Sequence, residues 1–168
     1  MKRAAMAMLL AATTLAACAR QGEAPTHGPA PVPEAIRYET SPCFGACPVY
    51  AVTVSADGKG QFSGRRYTAV TGERAFTLTP AQYAAFARAL APWRPAKGDV
   101  RYESGKPNCQ RMATDMPSVD VTWKPGTAAQ QRLHFYFGCD MDRNRAIAEA
   151  LGHAPDALPI AALIGEVP

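Results

Sequence analysis

The sequence has no run of eighteen apolar residues, the length a helix needs to span a bilayer. It has no Gly-x-Ser-x-Gly elbow, no Ser-x-x-Lys pair, no His-Glu-x-x-His helix and no Gly-rich phosphate loop. The common serine-hydrolase, zinc-hydrolase and nucleotide-binding readings therefore find nothing to rest on. Aromatic residues are scarce at 8% and no internal repeat is visible. The 168 residues suffice for one domain with its own core and leave little room for a two-domain enzyme.

A leader is present. Lys2 and Arg3 precede an apolar stretch, Ala4 to Leu15, broken only by Thr13 and Thr14. It is too short to span and has the length of a secretory signal core. It ends Leu15-Ala16-Ala17-Cys18, which resembles a bacterial lipobox. That resemblance implies residues 1–17 as a lipoprotein signal peptide, cleavage at Ala17–Cys18 and acylation of Cys18. Two or more acyl chains give stable membrane anchoring. Ala19, in place of Asp, resembles outer-membrane sorting, with the protein facing the periplasm. The other reading is an ordinary signal with an Ala-x-Ala site and a chance cysteine. Loss of Lys2 and Arg3 takes the formal charge from +4 to +2, which gives no argument for nucleic acid as a partner.

Residues 18–35 follow as the lipidated cysteine and a Pro/Ala-rich tether containing Pro25, Pro29, Pro31 and Pro33. Flexible-chain scaling gives it a reach of roughly 20–25 Å. His27 lies in this tether and is discounted as a catalytic group.

From residue 36 to 168 the pattern is that of a globular domain. Tyr50, Val52 and Val54 alternate with polar or small neighbours, Asp57-Gly58 marks a tight turn, and a strand over about 60–68 returns. Arg74 to Leu78 reads as a third strand. Thr79, Pro80 and Gln82 form a helix start, and Tyr83, Phe86 and Leu90 share one helical face before Pro92 and Pro95. Residues 92–117 read as irregular. Val119, Val121 and Trp123 alternate, Pro125-Gly126 turns the chain, and Leu133, Phe135 and Phe137 alternate back. Asp140 or Asp142 would cap a helix through Leu151, closed by Gly152, with one more short helix over 155–164. The fold class is α+β: a single small domain with an antiparallel sheet of about five to six strands and two to three helices packed on one face.

Beyond Cys18 four cysteines remain, an even number suited to an oxidising compartment. Three pairings exist, and spacing favours Cys43–Cys47 across a turn at Gly45 with Cys109–Cys139 across a sheet end. Asp140-x-Asp142-x-Asn144 begins like a calcium loop, but Arg145 and Leu151 stand where glycine and glutamate are needed. His134 reads as a sheet residue beside Tyr136. Residues 59–111 carry ten basic and three acidic side chains, whereas residues 112–168 carry four and seven. Arg65, Arg66 and Arg74 are thus candidates for contact with an anionic surface, set against charges that merely scatter and solubilise.

Ser41-Pro42-Cys43-Phe44-Gly45-Ala46-Cys47-Pro48-Val49-Tyr50, then a strand, Asp57-Gly58, Phe62-x-Gly64 and Asp115-Met116-Pro117, resemble a bacterial family known only as domain of unknown function 6438. The resemblance spans roughly 36–140 and implies a single small envelope domain without supplying an activity. The Cys-x-x-x-Cys-Pro stretch is also superficially similar to the copper motif of Sco-type chaperones, with Cys43, Cys47 and the distant His134 as the metal set. In those proteins a helix follows the motif, whereas here a strand does. The resulting expectation is a lipid-anchored, non-catalytic binding module without a cofactor. Its partner would be a cell-wall polymer or an envelope protein. A periplasmic thiol or copper accessory protein is the alternative.

Overall fold

The alternation read from Val49 to Ser55 is a strand, and the chain reverses directly after it. The computed structural model describes residues 33–165 apart from 125 and 127. The expected signal peptide, Cys18, the tether up to residue 32 with His27, Pro125 and residues 166–168 lie outside the described residues. In the turn after Ser55, the Asp57 carboxylate accepts from Ser55 Oγ and from the Lys59 amide, and Gly58 takes φ +85°. The elements in chain order are β1 (Ala35–Thr40), β2 (Val49–Ser55), β3 (Lys59–Arg66), β4 (Gly72–Thr77), α1 (Pro80–Leu90), β5 (Asp99–Tyr102), β6 (Ser118–Lys124), β7 (Gln131–Tyr136), α2 (Arg145–His153) and α3 (Ala161–Ile164).

The seven strands form one mixed sheet in the order β4-β3-β2-β1-β6-β7-β5. All neighbours are antiparallel except β5 and β7, which run parallel. The α+β class stands, but the sheet has more strands than the five to six expected and is not wholly antiparallel. The additions are β1 and β5. β1 is the central strand, with Tyr38 level with Val52 on one side and Val121 on the other. β5 lies in the stretch read as irregular and pairs with residues over thirty positions away.

Helices α1 and α2 cover one face. Thr79 and Gln82 form a reciprocal capping box at the start of α1, which buries Phe86 and Leu90, while α2 buries Ile147 and Leu151. Opposite them lie Ile36, Tyr38, Val52, Val54, Phe62, Val121, Trp123, Leu133 and Phe135, all at most 3% exposed. Each such side chain contributes about 1.5–3 kcal/mol by leaving water. Tyr38 joins the layers: its ring meets Phe86 edge-on at 6.3 Å and its hydroxyl donates to the Leu151 carbonyl at 2.9 Å. Burial holds its phenol pKa well above the ordinary value. At Gly64 a Cβ would lie 1.9 Å from the Val70 carbonyl oxygen, so only glycine admits the following turn against β3. That turn is held to α3 by the Ala69 and Val70 amides, which donate to Ile164 and Leu163.

Helix α2 departs from its expected boundaries. Its N-cap is Asn144, without a side-chain cap, and it continues through Gly152 to His153. The carboxylate of Asp140, an expected cap, is used elsewhere. Among the described residues no helix is long and apolar enough to cross a membrane.

Candidate functional site

At the end of β1 away from residue 35, three segments without a continuous ladder come together: 41–48, 103–117 and 137–144. Two disulfides staple them, Cys43–Cys47 and Cys109–Cys139. Gly45 takes φ +145° between the first pair, a conformation that side chains disfavour. The Phe44 amide donates to the Asp115 carbonyl and the Ser41 amide to Ser118, fastening the small ring to the second segment.

The second and third segments are woven together around Cys139. Met112 forms a β-bridge with it, and the Ala113 amide donates to Gly138. Asp140, itself at φ +34°, accepts from the Gln110 amide at 2.7 Å and the Arg111 amide at 2.9 Å. Those amides outweigh burial, and with Arg111 they hold the Asp140 carboxyl below its ordinary pKa. Asn144 Nδ2 donates to the carbonyls of Asn108 and Cys139. Tyr136 Oη donates to the Ala113 carbonyl and accepts from the Met116 amide. The Asp140 to Asn144 run is therefore a clasp for residues 108–111. Its first carboxylate already faces amide donors and is not offered to a cation.

On this braced backbone apolar side chains stand in water. Phe44 is 88% exposed, Met112 48% and Met141 52%. Met112 and Met141 line a cleft of about 290 Å³ with Arg111 and Asp142. Met116 and Met141 line an adjoining cleft of about 360 Å³ floored by Phe135 and Phe137 beside α2. Sequence reading missed these methionines. Their one-dimensional signal is weak, because Met141 reaches the other two only through the fold.

The face of the sheet left uncovered among the described residues is polar and differently organised. Glu39, Asp120, His134 and Arg101 lie level across β1, β6, β7 and β5. Arg37 and Arg65 both pair with Glu39, Arg132 and His134 with Asp120, and Arg101 with Glu103. Burial raises the Asp120 pKa, but His134 and Arg132 outweigh it and the carboxyl stays below its ordinary value. Arg37, Thr122, Lys124 and Arg132 border a cleft of about 260 Å³ here, in which charges of both signs alternate.

The residues considered for an anionic surface are not brought together. Arg65 lies on this uncovered face against Glu39, Arg66 stacks on the Tyr67 ring at 5.2 Å, and Arg74 is level with Phe62, whose side chain belongs to the helix-covered core. Nor do the residues of the copper alternative meet. The sulfurs of Cys43 and Cys47 are bonded to each other, and His134 Nδ1 lies 3.1 Å from Asp120 on the sheet face, on the strand next to the β5 edge. Among the described residues no three His, Cys, Asp or Glu side chains are grouped to hold a metal ion. Cys18 lies outside the described residues.

The family model for the domain of unknown function DUF6438 matches residues 34–154, well over half of the chain. The protein belongs to the DUF6438 family. No curated protein matches it. The DUF6438 match runs from before β1 through α2, so it takes in all seven strands, both disulfides and the stapled pole.

Proposed function

We propose that this DUF6438 protein is a non-catalytic binding module, lipid-anchored through Cys18 to the outer membrane and facing the periplasm, which grips an envelope protein through its stapled pole. The observation that carries this reading is Phe44. A large aromatic, 88% exposed, stands on a five-residue disulfide ring whose backbone is tied to Asp115. Binding energy concentrates in such aromatic anchors, and a backbone already fixed loses little entropy on association. The position supports it too. The tether leads into β1 at residue 35, and the ring begins at Cys43, three residues past the end of that strand at Thr40. Phe44 and the half-exposed methionines, all carried on the stapled segments, favour an apolar protein surface over a polyanionic wall polymer, as does the alternating charge of the open sheet face.

Two experiments test this. A photo-crosslinking residue at position 44, in intact cells, is expected to give a discrete adduct that the same residue at the remote position 74 does not. Equal, diffuse labelling from both positions would sink the binding pole. Palmitate labelling is expected to depend on Cys18, and Cys18→Ser to abolish both the label and cleavage at the Ala17–Cys18 bond. Wild-type protein that takes up no label would remove the anchor.

A further inference from the structure

We propose that Met112, Met116 and Met141 form a thioether site for a soft monovalent d10 cation, of the class of Cu(I) and Ag(I). Beyond position 8 the sequence holds these three methionines and no others. All three line the two adjoining clefts of the stapled pole, and Met141 lines both. Unbranched thioethers usually fill cores, yet Met112 and Met141 stand half in water. Their backbones are braced, Met112 by its bridge to Cys139 and Met116 by the hydrogen bond its amide donates to Tyr136 Oη. The donors come from two segments stapled by Cys109–Cys139, so little ordering remains for an ion to impose.

The surrounding chemistry selects the ion class. Thioether sulfur prefers soft Cu(I)-like ions over hard oxygen-seeking ones. The four cysteines of the domain are consumed in disulfides, which leaves thioethers as the soft sulfur donors among the described residues. Of the three carboxylates that line the clefts, Asp140 accepts from two backbone amides, Asp142 faces Arg145 across 3.5 Å, and Glu149 stands on α2. This inference stands on the methionines and is independent of Phe44 and its partner.

The test uses the full chain in detergent micelles with 13C-labelled methionine methyl groups, titrated with Ag(I) as a redox-inert probe. The methyl resonances of Met112, Met116 and Met141 are expected to shift together and saturate at one Ag(I) per chain. Met141→Leu should weaken binding by about tenfold or more, the scale at which even a supporting group around a metal is felt. Met112→Leu, at a half-exposed position, should weaken it with the thermal midpoint unchanged, so failure to fold cannot mimic loss of a ligand. Cu(I) offered in competition with a chromogenic chelator should follow the same order of variants. Resonances that ignore Ag(I), shift equally with Zn(II), or keep their affinity in both leucine variants would overturn the site. Shifts seen with envelope proteins but not with Ag(I) would give the clefts to a macromolecule instead.

Discussion

The two ends of the sheet solve the same problem in different ways. Between β2 and β3 the chain reverses in a tight turn held by Asp57 and Gly58, all of it local. At the other end, residues 103–117 and 137–144 have almost no ladder to satisfy their backbone. They rely on the Cys109–Cys139 disulfide, the buried Asp140 carboxylate and the Asn144 amide. Unpaired buried backbone groups are costly, so a long irregular segment persists only where side chains take over the role of the ladder. The pole is braced throughout its backbone and yet leaves Phe44, Met112 and Met141 in water. A fixed backbone limits the entropy lost on association, which is why the proposed binding surface is placed at this pole.

The two staples themselves are unequal, and removing them one at a time should break the pole in a definite order. Cys109–Cys139 spans 30 residues and Cys43–Cys47 spans 4. On the chain-entropy model the first contributes about 3.7 kcal/mol and the second about 2 kcal/mol. Urea unfolding of Cys109→Ala/Cys139→Ala should therefore show the larger loss, and Cys43→Ala/Cys47→Ala roughly half of it. Their reduction should be ordered as well. Cys109 and Cys139 are at most 4% exposed, whereas Cys43 and Cys47 are partly exposed. Mild reductant followed by alkylation and mass spectrometry should tag Cys43 and Cys47 while the other pair remains closed, since thiol exchange needs access to the sulfur. Simultaneous opening would mean that the pole is not braced as described.

The elements legible in the sequence are those whose determinants lie within a few residues of one another. The Asp57-Gly58 turn and the Thr79–Gln82 capping box specify β2–β3 and the start of α1 wherever the rest of the chain goes. β1 was legible in principle, with Ile36 and Tyr38 inward, but six residues beside a proline-rich stretch give a faint signal. β5 has four residues, and its partner is the parallel strand β7. Asp140 illustrates the limit on the candidate site. Before a helix, Asp-x-Asp reads as a cap, yet the carboxylate receives amides thirty positions back, brought there by a disulfide. The methionine clefts and the Arg65–Glu39 pair are hidden for the same reason: both are made by the fold and not by neighbours in sequence.

Away from the pole, the open sheet face provides a smaller and pH-dependent effect. Asp120 is partly buried between Arg132 and His134, and its pKa is lowered. A carboxylate depressed on folding stabilises fully above its unfolded pKa, near 4, and that contribution is lost as pH falls through the folded value. Asp120→Asn should cost about 0.5–1 kcal/mol at pH 7, the scale of a partly exposed ion pair. The difference from wild type should shrink as pH drops below about 4. A difference that grows toward acid would mean that burial, not the cationic partners, dominates at Asp120. The effect on adduct formation from position 44 should be nil, because Asp120 lies on the uncovered face and not at the pole.

The smallest change in stability should accompany the largest change in binding. Phe44→Ser removes a side chain that is 88% exposed and touches no core cluster, while its amide keeps its bond to Asp115. Surface replacements of this kind fall within about 0.5 kcal/mol of wild type, so the urea midpoint should barely move. If Phe44 anchors a partner, partner recovery should drop by an amount worth about 2 kcal/mol or more, the range of interface anchors. For this comparison the crosslinking residue has to sit elsewhere on the pole, at Met112, so that Phe44 can be varied freely. Unchanged adducts from position 112 in Phe44→Ser would show that the ring is a staple and nothing more. A lowered urea midpoint would mean instead that the phenyl ring stabilises the pole, and that its exposure is not what binding selects.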